Sequence, residues 1–166
     1  DGGMFAAPPP TSLDVPADHP VSRRLLQLAE PRHFLLRRAP NDKATALSQV
    51  ISVDEVRKMK SFFALSAADG GRRTAIIDSL DEMNPAAANA LLKLLEEPPP
   101  NVTLLLVAHQ PARLLPTIRS RCRELRLTPL SPQDLADALT QAGGDIAPED
   151  RTALAELSGG SVGEAF

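Results

Sequence analysis

The chain has 166 residues, 43% of them hydrophobic and 23% charged, an ordinary globular composition that lets a single domain of this length bury roughly 70% of its unfolded surface. A net charge of −3, an isoelectric point near 5.6 and 3% aromatic residues, all Phe, argue against a free-standing nucleic-acid binder, which needs a basic face or stacking platforms. The single cysteine, Cys122, excludes an internal disulfide and a cysteine-rich zinc site, and no apolar run approaches the ~20 residues of a membrane span. No signal-peptide pattern opens the chain, so a cytoplasmic protein with no metal of its own is the expectation.

Residues 1–20 are rich in Pro, Gly and Ala around Pro8-Pro9-Pro10 and read as a loop. Asp18 is expected to cap a short helix reaching about Glu30, with Val21, Arg24, Leu25 and Leu28 at helical spacing and Pro31 as the stop. His33 to Arg37 read as a strand and 38–42 as the turn that closes it. A lone His33 at a strand start reads as a solvated side chain rather than a ligand. Ser52 and Glu55 have the spacing of a capping box, with Ile51 and Val56 at the staple positions, so a helix starts here with Val53, Val56, Met59 and Phe63 as its apolar face. Arg57, Lys58 and Lys60 project on the other side, either as a phosphate-contacting patch or, more simply, as a solvated face. Residues 66–71 read as a loop.

Thr74-Ala75-Ile76-Ile77-Asp78 is an apolar run that stops on an acid, the pattern of a buried parallel strand that delivers a carboxylate to the edge where open α/β folds bind ligands. Asn84 as N-cap and Pro85 as first residue open a helix that runs to Glu97 and is stopped by Pro98-Pro99-Pro100. Its polar positions 89, 93, 96 and 97 form one stripe, on which Lys93 and Glu97 have the spacing of a weak one-turn ion pair. Val102 to Ala108 form a second strand, and a short helical turn leads to Arg119-Ser120-Arg121-Cys122. Residues 123–127 alternate polar and apolar and read as an edge strand. Ser131 and Pro132 begin a helix carrying Leu135, Ala138 and Leu139, Gly143-Gly144 end it, and Pro148 opens another with Ala153, Leu154 and Leu157.

In this order, Asp78 at a strand end, Asn89-Ala90-Leu91-Leu92-Lys93-Leu94-Leu95-Glu96-Glu97-Pro98-Pro99, residues 113–122 ending in Ser120-Arg121-Cys122, and Leu157-Ser158-Gly159-Gly160-Ser161-Val162-Gly163 resemble the AAA+ subunits of DNA clamp loaders. Within that family they look most like the delta-prime group of the bacterial DNA polymerase III clamp loader. The resemblance implies a partial AAA+ parallel sheet over residues 1–129, without the phosphate-loop segment, and the beginning of a helical lid over 130–166. The chain is then expected to be a fragment. Delta-prime subunits often carry a four-cysteine zinc module, which Cys122 alone cannot supply.

Under the resemblance, Asp78 takes the place of the magnesium-holding acid, against the plainer reading of a surface acid at a strand end. Active members follow that acid with a Glu that orients the attacking water, and here Ser79 follows. A serine has no carboxylate to act as a base. His109 stands where active members place a Thr or Asn that senses the γ-phosphate, and Gly163 where the lid presents an Arg. None of the nine glycines is followed by Lys and then Ser or Thr, so the phosphate loop of a nucleotide-hydrolysing site is absent from this sequence. The resemblance therefore implies a nucleotide-binding remnant at Asp78, Ser79, His109 and Gly163, with no cofactor on this chain and ATP and magnesium at neighbouring subunits.

The Ser120-Arg121-Cys122 word implies a subunit interface at which Arg121 acts in trans as an arginine finger, the alternative being one cation among Arg113, Arg119, Arg123 and Arg126. Cys122 reads as a small buried apolar residue. Lys93 is the residue of the helical stripe that a DNA contact would use, and spacing alone does not decide that against a solvated cation. The implied partners are the gamma/tau and delta subunits, the beta sliding clamp, and primed DNA through the complex. The implied function is a non-hydrolysing clamp-loader subunit within the polymerase III holoenzyme. Two rivals stand beside it: an active gamma/tau-like ATPase whose phosphate loop precedes residue 1, and a non-motor DNA-binding adaptor.

Overall fold

The computed structural model describes residues 15–41, 43–64, 71–144 and 146–165. Residues 1–14 of the proline-rich opening, Asp42 of the expected turn, and 66–70 of the expected loop lie outside them. The chain divides into two compact units, one ending at Arg123 and the other starting at Glu124.

The first unit is α/β. Strands β1 (His33–Leu36), β2 (Arg73–Ile77) and β3 (Val102–Leu106) form a three-stranded parallel sheet in the order β1-β2-β3. Leu36, Ile77 and Leu106 share one register row, and Leu35, Ile76 and Leu105 the row beside it, which faces the other side of the sheet. Helices α2 (Val53–Ala64) and α3 (Pro85–Glu96) are the two crossovers. Val56, Met59 and Phe63 of α2 and Ala87, Leu91 and Leu94 of α3 join Leu36, Ala75 and Ile77 in one buried core. The opposite row is only partly covered, and Leu105 on the edge strand is 52% exposed. The central strand is thus buried strongly on one face, less than a doubly covered parallel strand would be.

Local chemistry explains most boundaries. The Asn84 side chain accepts a hydrogen bond from the Ala87 amide at 2.8 Å, and Pro85 takes the first helical position. Helix α2 starts at Val53 as its spacing predicts, but the Glu55 carboxylate pairs with Lys58 at 2.6 Å rather than reaching back to Ser52. The first helix, α1 (Pro20–Leu26), is shorter than expected. His19, not Asp18, caps it, through ring Nδ1 and the Val21 amide at 3.2 Å. Leu28, at φ 52°, ends it with a 6→1 bond from Ala29 to Arg24 and a 5→2 bond from Leu28 to Leu25, the geometry usually left to glycine.

The edge strand expected at 123–127 does not form. Leu125 and Leu127 are 83% and 87% exposed, and Arg126 pairs with Glu124 at 2.8 Å. A two-residue alternation makes a strand only where a ladder partner exists, and no described strand pairs with this stretch.

The second unit holds α5 (Pro132–Gln141), α6 (Arg151–Leu157) and α7 (Val162–Ala165), which follow α4 (Pro116–Arg119) of the first unit. Ser131 caps α5 by accepting from the Asp134 amide at 3.1 Å, and Gly143, at φ 90°, ends it. Leu135, Leu139 and Ala155 form a small core with Ile146, Leu154, Val162 and Ala165 packed on it. Pro148 opens a 3-10 turn rather than the helix itself, and Leu157, expected on the apolar face, is 88% exposed.

Candidate functional site

At the carboxyl edge of the sheet, β2 hands the chain to Asp78, whose amide donates to the Leu36 carbonyl at 2.9 Å. The Asp78 side chain is exposed, whereas Ser79, joined to it by a cis peptide bond, is only 4% exposed. The residue after the acid therefore turns inward. A cleft of about 240 Å³ lies over this edge and is bordered by Arg37, Arg38, Asp78, Ser79, Glu82 and His109.

The next two acids are committed to other contacts. Asp81 accepts the His109 amide at 3.0 Å, which fixes the loop after β3 to the loop after β2. Glu82 pairs with Arg38 at 3.1 Å. Two arginines and two carboxylates border the cleft, so it has no excess charge of either sign. Among the described residues no group of three or more His, Cys, Asp and Glu is placed to hold a metal ion. Gly163 lies in α7 of the second unit, where among the described residues an added Cβ would meet only Ser161 Oγ, at 4.0 Å. Packing does not require a glycine there.

The arginine loop is built differently. Ile118 of α4 is 2% exposed and anchors the helix in the core, and Cys122 packs half-buried against the same core. Backbone bonds from Arg121 to Ile118 and from Cys122 to Arg119, at 3.0 and 3.3 Å, hold the turn between these anchors. Arg121 is left facing outward. Its Nη1 donates to the Thr117 carbonyl at 2.8 Å and to Ser120 Oγ at 3.5 Å, and its Nη2 to Glu96 Oε1 at 2.8 Å. The Arg121 side chain is 36% exposed and that of Glu96 47%.

Burial pushes the Cys122 thiol above its ordinary value, so at neutral pH it stays protonated and nucleophilically weak. In the folded protein, alkylation of Cys122 followed by peptide mass is expected to run about tenfold slower than for free cysteine at pH 7.5. A rate equal to that of free cysteine would contradict the burial assignment.

Lys93 is exposed on α3, and the expected Lys93–Glu97 pair is not formed. The acid that matters is Glu96, which is bound to Arg121 across 25 residues of sequence. The strand-start histidine is not simply solvated either, since His33 Nδ1 lies 2.9 Å from Thr74 Oγ1 across the β1–β2 register pair. On α2, Arg57 pairs with Asp54 at 2.7 Å and Lys58 with Glu55, which favours a solvated, internally neutralised face over a phosphate patch.

Residues 24–131 match the family model described as "DNA polymerase III, delta subunit". The DNA polymerase III subunit delta' of Pseudomonas aeruginosa is 43% identical over 111 residues, covering 67% of this chain and 34% of that protein. The subunit delta' of Escherichia coli is 36% identical over 116 residues, covering 70% and 34%. The chain thus spans about a third of the length of the curated relatives it matches. Among solved structures, a gamma subunit-related protein of DNA polymerase III from Thermotoga maritima superposes with a TM-score of 0.51 at 26% identity, covering 82% of this chain and 48% of that one.

Proposed function

The chain belongs to the DNA polymerase III delta-prime family, and from that premise we propose that it is part of a clamp-loader subunit that does not hydrolyse ATP itself but lends Arg121 to the ATP site of a neighbour. The observation that carries this reading is the asymmetry between two edges of one domain. Beside Asp78 the position of a water-orienting carboxylate is taken by buried Ser79, and Asp81 and Glu82 are engaged elsewhere. On the loop after α4, a permanently charged guanidinium is held in place and still reached by solvent. The first edge lacks the base that hydrolysis needs. The second offers what a transferred phosphoryl group needs from outside, a planar cation with several N–H donors.

In this reading residues 130–166 begin the lid, Ser120 and Cys122 frame the interface loop, and ATP and magnesium sit on gamma/tau-type neighbours. The complex, with a delta subunit, would open the beta clamp and place it on primed DNA. In the same reading Lys93, exposed on α3 three residues before Glu96, is the residue that would face that DNA.

The full-length protein, purified alone, is expected to show no magnesium-dependent ATP hydrolysis above the buffer background, with or without primed DNA. Turnover that is stimulated by DNA and survives further purification would contradict the proposal and favour an active gamma-like ATPase.

A further inference from the structure

The cation that faces outward is held by an acid from a different helix. Arg121 and Glu96 are separated by 25 residues, and Nη2 donates to Glu96 Oε1 at 2.8 Å while Nη1 donates to the Thr117 carbonyl at 2.8 Å. The two acceptors sit on different elements, the last residue of α3 and the body of α4. Two fixed acceptors at the two ends of a planar fork set both the position and the plane of the guanidinium. Of its five N–H donors, the one on Nε and one on Nη2 lie outside these contacts. The carboxylate and the guanidinium are both substantially exposed, so as a stabilising ion pair they contribute little. Its value lies in removing rotamer freedom from a long side chain before a ligand arrives.

We propose that Glu96 is a positioning residue for Arg121: it holds the guanidinium in the plane from which its remaining donors meet the phosphoryl group on the neighbouring subunit. The inference rests on the finger reading of Arg121. It also couples the end of α3 to the interface loop, so that any movement of that helix end moves the cation with it.

The test is the ATPase of a clamp loader reconstituted with the full-length protein as wild type, Glu96→Ala, Glu96→Gln and Arg121→Ala. Glu96→Ala is expected to lower kcat about fivefold with the KM for ATP within twofold, because orientation and not ATP binding is lost. Glu96→Gln keeps an oxygen acceptor at the same reach and is expected to recover at least half the wild-type rate. In an Arg121→Ala background, Glu96→Ala should add nothing. A purely structural role would instead shift assembly or melting temperature and leave kcat alone. A Glu96→Ala kcat within twofold of wild type, or above it, overturns the proposal, as does a Glu96→Gln rate no better than that of Glu96→Ala. If Arg121→Ala is itself silent, the finger reading fails; if Arg121→Ala is severe and Glu96→Ala silent, only the positioning role fails.

Discussion

Gly160→Ala is expected to destabilise the helical unit that starts at Glu124 while leaving the sheet intact. Gly160 sits at φ +70°, and a Cβ built on it would lie 2.8 Å from the backbone N and O of Leu130 and from Pro129 Cβ. Backbone atoms cannot rotate away as a flexible side chain could. The same contact carries the Leu130 amide bond to the Gly160 carbonyl at 3.0 Å, which ties the segment before α5 to the end of α6. The left-handed conformation costs a non-glycine residue about 1–2 kcal/mol, and the forced backbone shift adds a comparable amount, about 3 kcal/mol in all. Few side chains are available to absorb it, because among the described residues the buried apolar side chains of this unit are Leu135, Ala136, Leu139 and Ala155. Neighbouring Gly159 is the control. It also has a positive φ, 57°, but no described atom lies within 4 Å of its Cβ position, so Gly159→Ala meets only the conformational term, about 1 kcal/mol. Amide exchange of the full-length protein would read the difference, with protection across α5 and α6 falling about a hundredfold for Gly160→Ala and roughly fivefold for Gly159→Ala. Equal effects at the two sites would contradict the close-approach argument.

Where structure is set by neighbours in sequence, it was legible. Asn84 and Pro85 open α3 through bonds made within one turn, and the Pro98-Pro99-Pro100 run closes it by removing donors. The strand ending at Asp78, the inward Val56, Met59 and Phe63, and the outward stripe of Asn89, Lys93 and Glu96 all follow from periodicity. The misreadings share a different cause. Residues 123–127 have the alternation of a strand, but a ladder needs a partner that periodicity does not supply. Leu28 ends α1 in a conformation that its own side chain disfavours, held there by its amide bond to Leu25 and by the Ala29 amide bond to Arg24. At the site, a one-turn rule paired Lys93 with Glu97, whereas the fold brings Glu96 to Arg121, a contact that no local rule contains. The inward turn of Ser79 and the Asp81–His109 bond likewise depend on how the loops after β2 and β3 meet.

Arg121→Ala is expected to be the most damaging single change to the assembled machine while leaving this chain's fold intact. The fold does not depend on the side chain: the loop is anchored by Ile118 and Cys122 in the core, and the exposed pair with Glu96 contributes about 0.2–1 kcal/mol. Catalysis would depend on it. A guanidinium supplied in trans neutralises charge that spreads over the transferred phosphoryl group, and its removal costs orders of magnitude in comparable phosphoryl-transfer sites. Lysine is no substitute, because an ammonium is a point donor and cannot keep the Thr117 and Glu96 acceptors at the two ends of a rigid fork. Arg121→Lys should therefore resemble Arg121→Ala in rate.

The most direct measurement is the ATPase rate of the reconstituted clamp loader, stimulated by DNA and clamp, with the full-length protein carrying Arg121 or Arg121→Ala and assembly verified in both. A fall of tenfold or more, about 1.4 kcal/mol or greater in the barrier, is the predicted result. An unchanged rate in a fully assembled complex would contradict it and return Arg121 to being one exposed cation among several.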